Sequence, residues 1–221
     1  LIRIAGDRIR QHGFPKGTGP VVFGVTGSGS VSMAAQEILH LLPCRYIDVE
    51  DLPKLHKKEN TDNDFVYVCV IKAKDMVVHK EGKRFDSQHY YANPEEYTAS
   101  FHQKVAPYLT VLITGHYWEP RFPRLLTMDQ ARSLQADNKF PLLVLADITC
   151  DIGGSIEFFV KSTSIQNPFY AYDLKKKTAM DIQDFHGEGI VILGVDHLPA
   201  EFPREASASF GHNLKPLVPL V

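Results

Sequence analysis

The sequence predicts an α/β fold with a doubly wound, mostly parallel sheet, which is a Rossmann-like architecture. Short apolar runs recur along the chain, each with the length of a buried parallel strand. Helical patterns separate several of these runs, and the first run leads through a glycine-rich turn directly into a helix. Strands that alternate with helices are typical of a parallel sheet covered by helices on both faces.

The strands are predicted where apolar residues are continuous. The six runs are Val21–Val25, Tyr46–Val49, Phe65–Ile71, Leu109–Thr114, Leu142–Ala146 and Gly189–Gly194. Two further short runs, Phe169–Tyr172 and Thr178–Ile182, flank the polar lysines 175–177. This arrangement predicts a β-hairpin inserted before the last strand, with the lysines in its solvated turn.

The helices are predicted from apolar periodicity and from residues that favour helix ends. The predicted segments are Ile2–Gln11, Ser30–Leu42, Pro94–Val105, a helix that begins after Thr127, and Glu201–Leu214. Pro94 is followed by two glutamates, which suit the first turn of a helix, and Thr127 is a natural N-cap. The charged segment Leu52–Asn63 is predicted to be a surface excursion.

Composition excludes several classes of protein. The chain has 221 residues and a formal net charge of −2, which gives no electrostatic footprint for nucleic acid or an acidic membrane. No apolar run approaches the length of a membrane-spanning helix. The three cysteines are odd in number and widely spaced, which argues against a disulfide framework, and Cys69 reads as a buried structural thiol. We expect partners that are neither nucleic acid nor membrane.

The glycine-rich turn after the first strand predicts an anion cradle. Glycines let the backbone approach a phosphate closely, and free N–H groups at the start of the following helix point towards it. The run Gly27-Ser28-Gly29 departs from the pattern G-x-G-x-x-G because Ser32 occupies the third glycine position. Ser32 is small enough to keep the helix close to the strand. The alternative is an ordinary tight turn between strand and helix.

Charged residues lie near the end of the predicted second strand, where a dinucleotide ribose would lie. Asp48, Glu50 and Asp51 could accept a hydrogen bond from a ribose 2′-OH, which favours NAD. Cations that could instead bind a 2′-phosphate are also present: Arg45, Lys54, Lys57 and Lys58. These residues alone leave the choice between NAD and NADP open.

The ends of the later strands carry further candidates. Tyr117 and Trp118 follow the fourth strand and would either flank a cofactor ring or cover the edge of the core. Cys150, after the fifth strand, has no identifiable partner that would make it a nucleophile. Asp196 and His197 follow the last strand, and the pair could set the protonation state of a substrate; the alternative is a helix cap beside a solvated imidazole. We expect no metal site, since no H-x-x-x-H or H-E-x-x-H pattern occurs.

Four separated motifs, in this order, resemble one known family. They are the turn 25–32, the segments 117–119 and 123–127, the segment Cys150–Phe158, and the segments 196–199 and 204–207. The chain closely resembles the lysine–ketoglutarate reductase part of aminoadipic semialdehyde synthases, the lysine-forming saccharopine dehydrogenase group, which is related in fold to alanine dehydrogenase and transhydrogenase. The resemblance runs from about Pro20 to the end and is nearest to the plant-type bifunctional enzymes.

The resemblance implies a reaction and a division of labour. Lysine and 2-oxoglutarate condense to an imine, and a reduced nicotinamide cofactor, which we expect to be NADP(H) rather than NAD(H), reduces the imine to saccharopine. In the family the acid–base lysine and histidine come from an amino-terminal half that precedes this chain. We therefore expect a leading helix and loop over residues 1–19 and a dinucleotide-binding domain over residues 20–221 of a longer polypeptide.

Partners and compartment also follow from the resemblance. The expected partners are that amino-terminal half and a fused saccharopine dehydrogenase domain, and the isolated chain should be inactive. The expected compartment is the cytoplasm or the mitochondrion.

Most of the site residues that the resemblance implies for this chain are cofactor-binding residues. Asp196 is the expected catalytic residue. The expected cofactor-binding residues are Ser28, Gly29, Ser30, Val31, Asp48, Leu52, Tyr117, Ile148, Val195, Asp196, His197 and Leu198. Two other readings remain: a non-catalytic nucleotide-binding or regulatory module, and an alanine dehydrogenase-like enzyme that acts on another amino acid.

Overall fold

The computed structural model describes residues 1–56, 63–187 and 189–218. The strands are β1 Val22–Thr26, β2 Cys44–Tyr46, β3 Val66–Ile71, β4 Val77–His79, β5 Tyr97–Ala99, β6 Val111–Thr114, β7 Val144–Asp147, β8 Phe169–Asp173, β9 Thr178–Asp181 and β10 Ile190–Leu193. The α-helices are α1 Ile2–His12, α2 Ser30–Leu39, α3 Leu52–Leu55, α4 Ala73–Met76, α5 Ser87–Ala92, α6 Phe101–Lys104, α7 Met128–Ala136, α8 Leu198–Glu201 and α9 Pro203–Leu214.

The predicted α/β class and mostly parallel sheet are confirmed. Eight strands form one sheet in the order β2-β3-β1-β6-β7-β10-β8-β9, and β4 pairs with β5 in a separate two-stranded sheet. The strands from β2 to β10 in that order are parallel, whereas β8 and β9 are antiparallel. The predicted hairpin is therefore present, and it extends the sheet beyond β10.

The core lies on both faces of the sheet. Leu39 of α2 packs with Val25, Val66 and Val68 on one face. Leu52 and Leu55 of α3, Phe101 of α6 and Ala131 of α7 belong to the larger cluster on the other face. Buried aliphatic side chains contribute about 1.5–3 kcal/mol each relative to exposed ones, so these two layers hold the helices on the sheet.

The order in which successive strands are added to the sheet changes side at β1. Its neighbours are β3 on one side and β6 on the other, and α2 leads from β1 to the edge strand β2. In open α/β sheets the carboxyl ends of the strands part at such a point and leave a crevice for a ligand. The glycine-rich turn lies at this crevice.

Four predictions about elements are wrong in detail. The second strand is Cys44–Tyr46 rather than Tyr46–Val49, because its register pairs Cys44 with Val66 and a 3-10 turn begins at Val49. The predicted helix Pro94–Val105 is a 3-10 turn, strand β5 and the short α6. Pairing of β5 with β4 buries Tyr97 and overrides the local helix signal.

The other two corrections concern boundaries set by burial and proline. The excursion Leu52–Asn63 starts with α3, whose Leu52 and Leu55 are buried; Lys57 and Lys58 lie outside the described residues. The last predicted helix, Glu201–Leu214, is α9 and begins only at Pro203, whereas Glu201 ends the separate short helix α8. Phe202 precedes Pro203, and a residue before proline is disfavoured in the helical conformation.

Candidate functional site

A cavity of about 590 Å³ opens at the carboxyl edge of the sheet, in front of α2. Its floor is the turn between β1 and α2, and its walls come from the ends of β3 and β6 and from the segment around α5. The lining residues are Gly27, Ser28, Gly29, Ser30, Val31, Lys72, Ala73, Lys74, Met76, Phe85, Ser87, Tyr90, Tyr91, Gly115, His116 and Tyr117.

The glycine turn has the geometry of an anion cradle. Gly27 has φ +91°, a conformation that suits glycine, and a Cβ there would lie 3.2 Å from the carbonyl oxygen of Gly115. A Cβ on Gly29 would meet no atom within 4 Å. Gly29 is the N-cap of α2, and no side chain caps the helix there. The first N–H groups of α2 are thus left for a ligand, and a helix N-terminus favours a negative charge.

Ser32 is small enough to replace the third glycine of the pattern, as predicted. Its side chain is fully buried, and its hydroxyl donates to the carbonyl oxygen of Gly27 over 2.8 Å. The serine thereby fixes the turn and keeps α2 close to β1.

Two lysines stand beside the cradle at the end of β3. Lys72 and Lys74 line the cavity, and none of the described residues that line it is acidic. The side chain of Asp75 accepts from the backbone N–H of Lys72 over 2.9 Å. The cavity therefore presents positive charge next to the uncapped helix end.

A second cavity of about 620 Å³ shares Lys74 and Phe85 with the first. It is lined by Glu50 and also by Arg84 and Lys104. The Nζ atom of Lys74 lies 3.9 Å from Glu50 Oε1, a loose and exposed ion pair. The two cavities adjoin at Lys74 and Phe85, and we refer to them together as the groove.

Aromatic side chains form a further wall of the cavity. Tyr90 is 9% exposed, and burial raises the pKa of its phenol to about 12. Its ring packs against Phe85, Tyr97 and Phe122. Tyr117, in contrast, is 68% exposed within the cavity, which places it where a ligand could stack on it.

His116 is the one histidine among the described lining residues. Its Nδ1 lies 2.8 Å from the hydroxyl of Thr26, the last residue of β1. Burial lowers the pKa of the imidazole to about 4, and the carboxylate of Asp147 opposes this shift only in part. His116 is therefore neutral at physiological pH.

The end of β7 is organised around a buried carboxylate. Asp147 Oδ1 accepts from the hydroxyl of Thr114 over 2.6 Å and from the backbone N–H of Thr149 over 3.0 Å. The thiol of Cys150 donates to the carbonyl oxygen of Asp147, and burial, with the nearby carboxylates of Asp147, Asp196 and Asp151, raises its pKa to about 11. A protonated thiol is a poor nucleophile, so Cys150 supports the structure of this loop.

The structure brings together five of the predicted cofactor contacts and separates the others. Ser28, Gly29, Ser30, Val31 and Tyr117 line the cavity in front of α2. Asp48, Ile148 and the segment 195–198 are not among its lining residues.

Of the separated residues, Asp48 and Ile148 follow strands β2 and β7, and Leu52 lies in the core. Asp48 is exposed just after β2, one strand further from β1 than the end of β3. Leu52 is fully buried in the core, so it has no surface to offer a ribose. Ile148 follows β7, where its N–H donates to the carbonyl oxygen of Thr114.

The segment after β10 is buried at Val195 and exposed from Asp196 to Leu198. Val195 forms a bridge with Thr163, His197 has φ +55° at the N-cap of α8, and Leu198 is 41% exposed. The Asp196 carboxylate accepts from the backbone N–H of His197 over 2.7 Å, which is a local contact and not a side-chain cap of α8. Asp196 thus has a carboxylate open to a further partner.

Sequence motifs missed a cluster of His79, His89 and Glu96, whose ligand atoms lie within 4.8 Å of one another. His79 Nδ1 accepts from the N–H of Glu81 over 3.1 Å. Nε2 therefore carries the proton and donates to Glu96 over 3.2 Å, whereas a metal would need the lone pair of Nε2. The cluster reads as hydrogen bonds that hold β4 against the turn before β5.

Sequence analysis also missed Lys72, Lys74, His116 and the aromatic wall. Lys72 and Lys74 lie within three residues of the end of a predicted strand, and His116 lies two residues after another, so their positions carried a signal. The order of the strands in the sheet has no such signal in the sequence. Without that order, the end of the second strand was predicted to be the neighbour of the glycine turn. The wall depends on β4 and β5, which no local pattern indicated.

Nearly the whole chain aligns with alpha-aminoadipic semialdehyde synthases. It is 43% identical over 223 residues to the alpha-aminoadipic semialdehyde synthase of Arabidopsis thaliana, an alignment that covers 96% of this chain and 21% of that protein. It is 38% identical over 230 residues to the mitochondrial alpha-aminoadipic semialdehyde synthase of Bos taurus and 37% identical to that of Mus musculus; each alignment covers 98% of this chain and 24% of the relative. No protein-family profile matches the chain.

The predicted resemblance to aminoadipic semialdehyde synthases is confirmed by these identities. The chain spans about a fifth to a quarter of the length of these relatives. Among the described residues, no helix is both long and apolar enough to span a bilayer.

Proposed function

We propose that this homologue of alpha-aminoadipic semialdehyde synthases is the NADP(H)-binding part of a lysine–ketoglutarate reductase. The reaction is the reductive condensation of L-lysine with 2-oxoglutarate to saccharopine, a step of lysine degradation. The remaining part of the enzyme supplies the acid–base residues and the second wall of the active site. The compartment is the cytoplasm or the mitochondrion, the latter being the location named for the mammalian relatives.

The observation that carries the proposal is the open cradle in front of α2. The helix end has no side-chain cap, Gly29 leaves room within 4 Å, and the cavity is lined by lysines without acids among its described residues. A pyrophosphate needs backbone N–H donors, close approach and positive charge, and this cavity offers all three. Its volume of about 590 Å³ is within the range of cofactor sites.

Each wall of the groove has a distinct task in binding. The turn 28–31 would hold the pyrophosphate, Lys72 would neutralise its charge, and Lys74 would face the 2′-phosphate of NADP(H). Tyr117 would cover an aromatic part of the cofactor from the side of β6. When bound, the reduced nicotinamide supplies a hydride to the substrate imine. Asp196 would then face the substrate from the end of β10.

The same groove favours NADP(H) over NAD(H). Lys74, Arg84 and Lys104 line the second cavity, and Asp75, one of its two acids, is already hydrogen-bonded to the backbone of Lys72. An adenosine that extends from the cradle past the end of β3 would put its 2′-phosphate beside these cations. Cations near a 2′-phosphate are the recurring basis of NADP preference.

Titration of the chain with NADPH and with NADH, followed by fluorescence and calorimetry, tests the proposal. We expect saturable binding of NADPH and weaker binding of NADH, with weak overall affinity while the second wall is absent. A chain that binds neither nucleotide at millimolar concentration, even after the rest of the enzyme is added, contradicts the proposal.

We expect the substitution Lys74→Ala to weaken NADPH binding about tenfold while it leaves NADH binding unchanged, because one charge-assisted contact to the 2′-phosphate is lost. The measurement is the ratio of the two dissociation constants. Lys175→Ala, in the hairpin turn at the far edge of the sheet, removes the same charge and should leave the ratio unaltered. An equal loss for both nucleotides would show that Lys74 contacts a part that they share.

We expect Asp196→Ala to leave folding intact, with a free energy of unfolding within about 0.5 kcal/mol of the wild type, because the side chain is exposed and does not cap α8. Turnover of the assembled enzyme should fall. Thermal unfolding and steady-state kinetics on the same samples separate the two effects. Unfolding of the variant would instead assign Asp196 a structural role.

A further inference from the structure

His116 lies between the ends of two central strands, at the place where a dinucleotide would cross the sheet edge. It is the second residue after β6, and a Cβ on Gly27 would be 3.3 Å from its Cα. Its side chain lines the same cavity as the glycine turn. The imidazole is thus part of the cradle's wall, although sequence analysis gave it no role.

Thr26 determines which ring nitrogen of His116 carries the proton. The Thr26 hydroxyl oxygen accepts from the backbone N–H of Gly115 over 3.1 Å and lies 2.8 Å from His116 Nδ1. Thr26 is fully buried, and among the described residues its hydroxyl has no other acceptor in reach. A buried hydroxyl proton without an acceptor is costly, so the proton points at Nδ1. His116 is then the Nε2–H tautomer.

The Nε2–H group of His116 is left available. No described residue accepts from it, and it is not among the buried side-chain atoms that lack a partner, so it keeps access to the cavity space. The ring also stays neutral, since burial holds the pKa near 4. A neutral donor can bind a phosphate or hydroxyl oxygen without adding to the charge that the lysines already supply.

We propose that His116 is a cofactor-binding residue whose Nε2–H, oriented by Thr26, donates a hydrogen bond to an oxygen of the bound dinucleotide. This inference rests on the function proposed above. The acceptor is an oxygen of the pyrophosphate or of the adjoining ribose, which NADPH and NADH share, because the 2′-phosphate belongs at the end of β3.

Titrations of four proteins with NADPH and with NADH test the proposal: the wild-type chain, His116→Ala, His116→Gln and Thr26→Val. His116→Ala should weaken binding of both nucleotides about tenfold, the usual cost of one lost hydrogen bond. His116→Gln, whose amide can donate from a similar distance, should recover affinity to within about threefold. Thr26→Val keeps the imidazole but frees its tautomer, so it should lose affinity as well.

Nitrogen-15 spectra of the imidazole give a readout that a merely structural role would not move. We expect the Nε2–H tautomer in the wild-type chain and a shift of the Nε2 resonance when NADPH is added. The Nδ1–H tautomer, or an unmoved Nε2 resonance at saturation, overturns the proposal even where His116→Ala fails to fold.

The test separates this proposal from the one on which it rests. If His116→Ala binds NADPH as tightly as the wild-type chain, the proposed role of His116 is wrong, and the proposed function still stands. A wild-type chain that binds neither nucleotide, even after the rest of the enzyme is added, overturns both the proposed function and the proposed role of His116.

Discussion

Substitution of Gly29 by aspartate should abolish dinucleotide binding while leaving the fold as stable as before, or slightly more stable. Gly29 has φ −85°, which any residue adopts, and a Cβ there meets no atom within 4 Å, so no strain or clash opposes the change. Aspartate is also a better N-cap than glycine by a few tenths of a kcal/mol and suits the helix dipole. The new carboxylate would, however, occupy the anion cradle and repel a phosphate.

The loss should be at least about 100-fold in the dissociation constant of NADPH, since the carboxylate replaces the ligand at the helix end and adds repulsion. Calorimetric titration and thermal unfolding of the same protein measure the two effects. Gly211→Asp is the matched control: it adds the same charge on α9, where a Cβ also meets nothing within 4 Å. If Gly29→Asp binds NADPH as tightly as the wild type, the pyrophosphate does not bind at this turn.

The turn itself was predictable because its signals are local. A buried strand, small residues and a helix follow one another within 18 residues, and Ser32 was recognised as a residue small enough to pack closely. Five of the six parallel strands were likewise found, since continuous apolar runs are typical of strands buried on both faces. The sixth, β2, is largely exposed, and its prediction began two residues too late. Thr127 was recognised as an N-cap, and its hydroxyl accepts from the N–H of Gln130.

The surroundings of the turn were not predictable, because they depend on which strands become neighbours. Sequence places Asp48 about 20 residues after the turn, the spacing of a ribose-binding acid. The structure inserts β3 between β1 and β2, so Lys72 takes the position beside the cradle. The antiparallel pairing of His79 with Tyr97 links residues 18 positions apart and turns an expected helix into a cavity wall. Pairings of this kind have no local signature.

The second large effect concerns stability against acid. Burial lowers the pKa of His116 from 6.5 in the unfolded chain to about 4 in the folded one. Between these values the unfolded chain binds more protons than the folded chain, so the free energy of unfolding falls as the pH drops from about 6.5 towards 4. The carboxylate of Asp147 raises the pKa of the imidazole, and the value of about 4 includes this opposing effect.

We expect protonation of His116 in the unfolded chain to lower the free energy of unfolding of the wild type by about 2 kcal/mol as the pH falls from 7 to 4.5. His116→Gln cannot titrate, so its unfolding free energy should fall by that much less over the same range. Urea denaturation at several pH values, for both proteins, gives the difference and cancels the titration of the carboxyl groups they share. His212→Gln, on the exposed face of α9, controls for the substitution itself. Parallel pH profiles for wild type and His116→Gln would mean that His116 is as accessible to protons in the folded chain as in the unfolded one, and the neutral donor argued for above would lose its physical basis.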